Sequence, residues 1–393
     1  MSEDTGLKKI LTFYDLTLFG ISSIMGSGGF NLIGDAVISG GTHFPVALAA
    51  VSTLFQGTSY VYQEAYNEFK TNTAESDLIK REFGPVAANL SIATILLFGL
   101  ISVSVILVMC SKLLFPSGTW SGQISFALVL LSMMTGASLQ GIEFNRDVIA
   151  LSGMAVTGLL CFATLIGLIE LREGFPTAMP SAIKMPPNLI HSFLYFYFVL
   201  AGFDTLIKFT EEAKNPDRDL ARSFYASAAL STLLTTGVCF AFLVVFSKQV
   251  FKENDNIVGK IVGAMLGPAA EQFTGLLSIA LMVVTGFVCF LAATRYMFGI
   301  GEQIKALNIF TELNEKKAPW KAILVAMGVI TLGILNNHVY TLVKMCDITL
   351  TVTLLLVSAA AAKLAFSKGK VPWIEGLTTL GHGGLLSISA LYR

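Results

Sequence analysis

The sequence predicts an all-α integral membrane protein with about ten spanning helices. Of its 393 residues, 54% are hydrophobic and 13% are charged, whereas soluble domains carry about 25% charged residues. Ten stretches lack Asp, Glu, Lys and Arg, and most approach the roughly 20 apolar residues that a helix needs to cross a bilayer. They are continuously apolar and lack the alternation of barrel strands, which favours helices.

These stretches and their apolar flanks define the predicted spans. The spans are 11–37, 43–65, 85–111, 122–139, 147–170, 189–210, 222–247, 273–300, 319–336 and 340–365. If the first five spans and the second five share one fold, the chain divides into two five-helix repeats, 1–170 and 171–366. The tail 367–393 contains a short glycine-containing apolar stretch, and the sequence leaves open whether it is a vestigial eleventh span or an interfacial segment.

The loops predict the orientation in the membrane. If the N-terminus is cytoplasmic, the inner segments hold 18 Lys and Arg residues and the outer segments hold 6. Positively charged loops stay preferentially in the cytoplasm. The sequence therefore predicts a multi-pass membrane protein with a cytoplasmic N-terminus.

Composition and missing motifs exclude several function classes. Lys plus Arg and Asp plus Glu both number 26, so no excess of positive charge is available for nucleic acid. The five cysteines are widely spaced, which argues against a disulfide framework or a metal site. Walker, HExxH and GxSxG motifs are lacking. We therefore expect neither a cofactor nor an enzyme.

Two predicted spans contain glycine-rich interruptions. Span one contains Gly26–Gly29, of sequence GSGG, and span six contains Gly202 close to Asp204. Each interior glycine costs a helix about 1 kcal/mol, so both spans are expected to unwind locally; the alternative is that the glycines serve close helix packing. The two spans are five apart. Because five is odd, two halves sharing one fold would be inverted relative to each other.

An unwound first span suits a zwitterion. Unwinding at Gly26, Ser27 and Gly28 exposes N–H groups at the positive end of the next half-helix, where a carboxylate binds well. Carbonyl groups near Ile24 can accept hydrogen bonds from an ammonium group. The pattern therefore predicts an amino acid as the substrate.

Four side chains in or near the spans have more than one interpretation. Asp204 could orient the break, contact an ammonium group or take up a proton, or it could pair with Lys208 one turn later. Phe198 is either a lid over the substrate or an ordinary packing residue. Lys344 and Asp347 are three residues apart and favour a structural ion pair, with snorkelling of Lys344 to the interface as the alternative.

Four motifs also carry a family resemblance. They are 14–30 in span one, Gly202–Asp204 followed by Glu211–Arg218 after span six, Ala293–Met297 in span eight, and Ala318–Trp320 at the entry to span nine. Over about residues 9–366 the chain resembles the amino acid–polyamine–organocation (APC) superfamily, especially its cationic-amino-acid-transporter-like branch.

The resemblance implies a leucine-transporter-type fold of inverted five-plus-five repeats with broken helices 1 and 6. It implies a secondary active transporter or exchanger that carries amino acids or polyamines by alternating access. The implied substrate-binding residues are Gly26, Ser27 and Gly28 for the carboxylate, and the carbonyls of Ile24, Phe198 and Ala201, beside Gly202, for the amino group. Asp204 is implied to be a proton-coupling or helix-orienting acid.

The chain departs from this family in span five. Many relatives have a lysine there that stands in for a sodium ion, whereas this chain has Met154-Ala155-Val156. Either another group takes the place of that lysine, or the protein exchanges its substrate or carries it passively. The identity of the coupling ion, a proton or sodium, therefore stays open. The alternative function is a transport-inactive membrane receptor or partner-binding subunit that keeps the permease fold.

Overall fold

The computed structural model describes residues 6–25, 28–171, 188–246, 256–336 and 338–391. Within these ranges the protein is helical, and its one β-type pairing is an isolated bridge between Leu11 and Ala213. The α-helices are α1 Phe13–Met25, α2 Gly28–Gly40, α3 Phe44–Phe69, α4 Ala74–Phe83, α5 Pro85–Leu114, α6 Trp120–Leu139, α7 Ile142–Glu170, α8 Leu189–Leu200, α9 Pro216–Phe246, α10 Ile257–Leu266, α11 Pro268–Gln303, α12 Trp320–Asn336, α13 Val339–Ser367 and α14 Trp373–Leu391. Shorter 3-10 helices cover Gly41–His43, Phe203–Glu212 and Lys305–Thr311.

Eight helical segments of the described chain are long and apolar enough to cross a membrane. They are Leu32–Phe69, Pro85–Leu114, Trp120–Leu139, Ile142–Glu170, Leu189–Glu212, Pro216–Val245, Pro268–Gln303 and Thr341–Ser367. Large apolar side chains such as Met133 and Leu151 are two-thirds exposed on these helices. Such exposure fits a surface solvated by lipid rather than by water.

The eight segments differ from the ten predicted spans in two places. The described residues of predicted span 11–37 belong to α1 and α2, on either side of Gly26 and Ser27, which lie outside the described residues. The helical residues from Leu32 continue through Gly41–His43 into α3. Predicted span 319–336 corresponds to α12, whose 17 residues fall just short of the length required. The sequence predicts about ten spans, and eight segments of the described residues are long and apolar enough to be spans.

The C-terminal tail forms a helix that packs on the rest of the molecule. Helix α14 has 19 residues and contacts α3 and α13. It does not count among the eight long apolar segments. Its polar residues Glu375, Thr378 and His382 are buried.

Helix α1 lies at the centre of the protein. Most of its residues from Leu16 to Met25 are buried, because α7, α9, α11 and the segment Phe203–Glu212 all pack against it. Glycine makes one of these contacts close: a Cβ at Gly153 of α7 would lie 2.8 Å from the carbonyl oxygen of Leu18. Small residues allow membrane helices to approach in this way. The central position of α1 brings Ser23, near its end, close to Gly202 of the sixth span.

Candidate functional site

The sixth span stops being α-helical where the sequence places glycine. Helix α8 ends at Leu200, Ala201 is extended, and Gly202 has a φ of 125°. A positive φ is readily adopted by glycine and costly for other residues. The chain then continues as the 3-10 helix Phe203–Glu212. Backbone groups near Gly202 are thereby released from regular α-helical hydrogen bonding.

Side chains from two elements hold the backbone at Gly202. The Ser23 hydroxyl of α1 donates a 2.8 Å hydrogen bond to the Gly202 carbonyl, and the Thr205 hydroxyl donates one of 2.7 Å to the same oxygen. A Cβ at Gly202 would lie 2.8 Å from the Ser23 carbonyl oxygen. Glycine is therefore required both by the backbone conformation and by the close approach of α1.

A cavity of about 510 Å³ adjoins this point, within the usual size range of small-molecule sites. Its wall includes Ser23 of α1, residues Phe198, Ala201 and Gly202 of the sixth span, and parts of α2, α5, α11 and α13. The cavity extends from Gly202 towards the ends of α8 and α13 that hold His191 and Lys344. The arrangement offers backbone polar groups at one end of a largely apolar chamber.

The predicted substrate-binding residues have different positions relative to the cavity. Phe198, Ala201 and Gly202 line it. Ile24 is buried in the apolar core of α1, so its side chain is a packing group. Gly28 is the first residue of α2. Gly26 and Ser27 lie outside the described residues, between the end of α1 and the start of α2.

Asp204 lies beside a second, smaller cavity of about 30 Å³, a size that can hold a water molecule. Lys208 lines it too, and Thr205 and Cys289 line both cavities. The Lys208 ammonium lies 3.7 Å from the Asp204 carboxylate and donates a 3.1 Å hydrogen bond to the Asp204 carbonyl. The small cavity therefore separates the larger one from a buried charged group.

Lys208 has a closer acidic partner than Asp204. Its Nζ lies 2.6 Å from Oε1 of Glu75, a residue of α4, and both side chains are buried. The same Nζ lies 5.9 Å from the ring centre of Tyr62 and 5.6 Å from that of Tyr296, within the range of cation–π attraction. Sequence reasoning missed Glu75, because the pair joins residues that are far apart in the chain.

A second buried ion pair lies near the end of the 3-10 segment. Arg295 of α11 and Glu212 are both almost completely buried, with 3.0 Å between Nη2 and Oε1. The Glu212 carbonyl also accepts hydrogen bonds of 2.9 Å from the backbone N–H groups of Ile10 and Leu11. Asn72 donates a 3.0 Å hydrogen bond to the Arg295 carbonyl. These contacts lie at the end of the sixth span that is opposite to His191.

Lys344 and Asp347 both line the large cavity. Their spacing of three residues favours a structural ion pair on one helix face, and that pairing stays a prediction. The structure adds that both face the chamber rather than lipid alone. A charged residue within a membrane helix usually faces such a cavity.

Comparison with known proteins agrees with this architecture. Residues 11–392 match the family model of the amino acid permeases. Over 255 residues the chain is 22% identical to "Cationic amino acid transporter 5" of Arabidopsis thaliana, which covers 58% of this chain and 42% of that protein. Over 347 residues it is 23% identical to "Cationic amino acid transporter 9, chloroplastic" of the same plant, covering 78% and 58%. The chain thus spans about half the length of these relatives.

The family match covers nearly the whole chain, and the eight apolar helical segments indicate a multi-pass membrane protein. The motifs around Gly202 and after Glu211 lie within the matched range. This chain therefore belongs to the amino acid permease family, within the APC superfamily.

Proposed function

We propose that the protein is a secondary active transporter or exchanger that carries amino acids across a membrane by alternating access. The observation that carries the proposal is the end of α-helical structure at Leu200, next to Gly202 and beside a cavity of about 510 Å³. Membership of the amino acid permease family supports amino acids as the cargo.

The substrate would bind with its two charged groups at the interruptions of spans one and six. Its carboxylate would accept hydrogen bonds from the N–H groups of Gly26, Ser27 and Gly28, at the start of α2. Its amino group would donate to the carbonyls of Ile24, Phe198 and Ala201. Both ends of a zwitterion are thereby satisfied by backbone groups, which suits a site that accepts several amino acids.

The proposal includes an inverted repeat. Residues 1–170 would form the first five-helix unit with a cytoplasmic N-terminus, and 171–366 the second, while 367–393 would be an added tail. In this orientation the contacts of Glu212 with Arg295 close the cytoplasmic side. The large cavity would then face outwards, with Asp204 orienting the break or responding to protons.

Uptake into proteoliposomes tests the proposal. The purified protein should take up or exchange radiolabelled amino acids in a saturable manner across a panel of 20. Gly202→Val should abolish uptake, because its side chain would press on Ser23 in a disfavoured backbone conformation. The matched control is Gly158→Val, where an added Cβ meets open space, and this variant should transport normally.

A second variant separates loss of transport from loss of folding. Ser27→Leu should block the carboxylate site while the protein keeps its size-exclusion profile and melting temperature in detergent. Ser132→Leu, on the exposed surface of α6, is its control. Absence of uptake and exchange for every amino acid would refute the proposal, and binding without flux would point to a receptor instead.

A further inference from the structure

We infer that the large cavity selects a neutral amino acid with a large apolar side chain and that Lys344 helps to exclude cationic ones. This inference rests on the proposed function, since it concerns the substrate of the same cavity. It differs from what the names of the cationic amino acid transporters suggest for those relatives.

Most of the side chains that line the cavity are apolar. Phe98, Ile106 and Met109 of α5 contribute to one wall, and Leu194 of α8 and Met282 of α11 to others. A side chain that reaches into this part of the chamber exchanges water for apolar surface, which stabilises an apolar group and penalises a polar one. The apolar lining therefore favours substrates with side chains like those of leucine or phenylalanine.

Three hydroxyl groups that line the cavity donate to the backbone. Ser23 and Thr205 donate to the carbonyl of Gly202. Thr285 donates a 2.7 Å hydrogen bond to the carbonyl of Ser22. Their hydrogen atoms hold the interrupted helices in place, so these three hydroxyl groups cannot donate to a carboxylate or carbonyl of a polar substrate side chain.

The charged side chains that line the cavity offer no excess of negative charge. The lining contains one lysine, Lys344, and one aspartate, Asp347, and their formal charges cancel. His191 also lines it and is neutral or positive, so it adds no negative charge. Asp204 lies at the smaller cavity, where the ammonium of Lys208 is 3.7 Å away. A lysine or arginine substrate would bring a positive charge into the large cavity, whose described lining holds no surplus carboxylate to balance it. The carboxylates of Asp204 and Glu75 lie with Lys208 outside that lining.

An uncompensated charge is costly in a chamber of low polarity. Lys344 is decisive here, because its removal would leave Asp347 as the only charged group of fixed sign in the described lining. The variant Lys344→Met should therefore admit cationic substrates that the wild-type protein rejects. This makes Lys344 a specificity-determining residue rather than a general structural one.

Competition for uptake tests the inference in proteoliposomes. For the wild-type protein, unlabelled leucine and phenylalanine should inhibit uptake of labelled leucine at concentrations at least ~10-fold lower than lysine or arginine. In Lys344→Met this ratio should fall by roughly 10-fold, through stronger competition by lysine and arginine. Lys344→Gln should act in the same direction, and Lys305→Met, at an exposed residue outside the cavity, should keep the wild-type ratio.

The outcomes distinguish this inference from the proposed function. If lysine, arginine or small polar amino acids compete best with the wild-type protein, the inference fails while amino acid transport stands. If no amino acid is taken up, both fail. If the two Lys344 variants fold, transport leucine and keep the wild-type ratio, the role of Lys344 is refuted.

Discussion

The Nζ atom of Lys208 lies 2.6 Å from Oε1 of Glu75, and both side chains are at least 95% buried. Lys208 belongs to the 3-10 segment after Gly202, whereas Glu75 belongs to α4, the short helix between α3 and α5. Neither carboxylate oxygen of Glu75 has a hydrogen bond of regular geometry with the described residues. The contact is therefore an ion pair in a poorly solvated place, and it fixes α4 to the sixth span.

The first prediction concerns the pH dependence of stability. Burial raises the pKa of Glu75 to about 7, although the nearby Lys208 ammonium opposes this shift and Asp204 reinforces it. Because this pKa exceeds that of glutamate in an unfolded chain, the stability contribution is full below pH ~4.5 and is lost as the pH rises to ~7. The melting temperature in detergent should therefore fall over this interval.

The variant Glu75→Gln should flatten this dependence, because glutamine stays neutral throughout. Lys208, Asp204 and the phenol groups of Tyr62 and Tyr296 all face Glu75, and the variant leaves them in place. Differential scanning fluorimetry between pH ~5 and ~8 measures the slope. Glu315→Gln, at an exposed residue, should keep the wild-type slope. An unchanged slope in Glu75→Gln would show that another group is responsible.

The second prediction concerns the buried pair of Glu212 and Arg295. Removing one member of a buried pair leaves the other charge uncompensated and typically costs about 3–5 kcal/mol. Glu212→Gln should therefore lower the free energy of unfolding by about that amount. The double variant Glu212→Gln/Arg295→Met should be less destabilised than the sum of the two single variants, because it removes both charges.

The control for this pair is a surface ion pair. Lys321 and Glu312 also form a salt bridge, but they are 26% and 51% exposed. Exposed pairs contribute about 0–1 kcal/mol, so Glu312→Gln should have little effect on unfolding by denaturant in detergent. Equal effects of Glu312→Gln and Glu212→Gln would contradict the importance of burial.

The sequence predicted those features that follow from local chemistry. Runs without charge gave most of the spans, because bilayer thickness alone sets the required length. Gly202 predicts an interruption of span six, which stays a prediction; α8 ends at Leu200 and a 3-10 helix begins at Phe203. The sequence also offered Asp204 as a partner for Lys208, since residues four apart are neighbours on a helix.

Tertiary contacts could not be predicted in this way. Helix α4 is short and carries several charges, so no apolar run in the sequence indicates it. The burial of Glu75 depends on Lys208, which comes from a distant segment of the chain. The result is that Lys208 lies closer to Glu75 than to Asp204, at 2.6 Å compared with 3.7 Å. The sequence likewise left the tail undecided, because packing against α3 and α13 determines where α14 lies.

The third prediction concerns His382, which joins α14 to α3 and α8. Its Nε2 lies 2.9 Å from the Thr58 hydroxyl, and its Nδ1 lies 3.2 Å from the Tyr197 hydroxyl. Thr58 already donates its hydrogen to the Leu54 carbonyl at 2.8 Å, so it accepts from His382. A neutral imidazole with its hydrogen on Nε2 can then accept from Tyr197, which satisfies all three groups.

His382→Ala should therefore destabilise the protein by about 1–3 kcal/mol, because it leaves two buried hydroxyl groups without this partner. The loss of stability should first affect α14 and its contacts. Limited proteolysis should therefore release the C-terminal segment from the variant earlier than from the wild-type protein. His338→Ala, at an exposed residue before α13, is the matched control and should be cut at the wild-type rate. Identical proteolysis of both variants would mean that apolar contacts alone hold α14 in place, since they would persist without the imidazole.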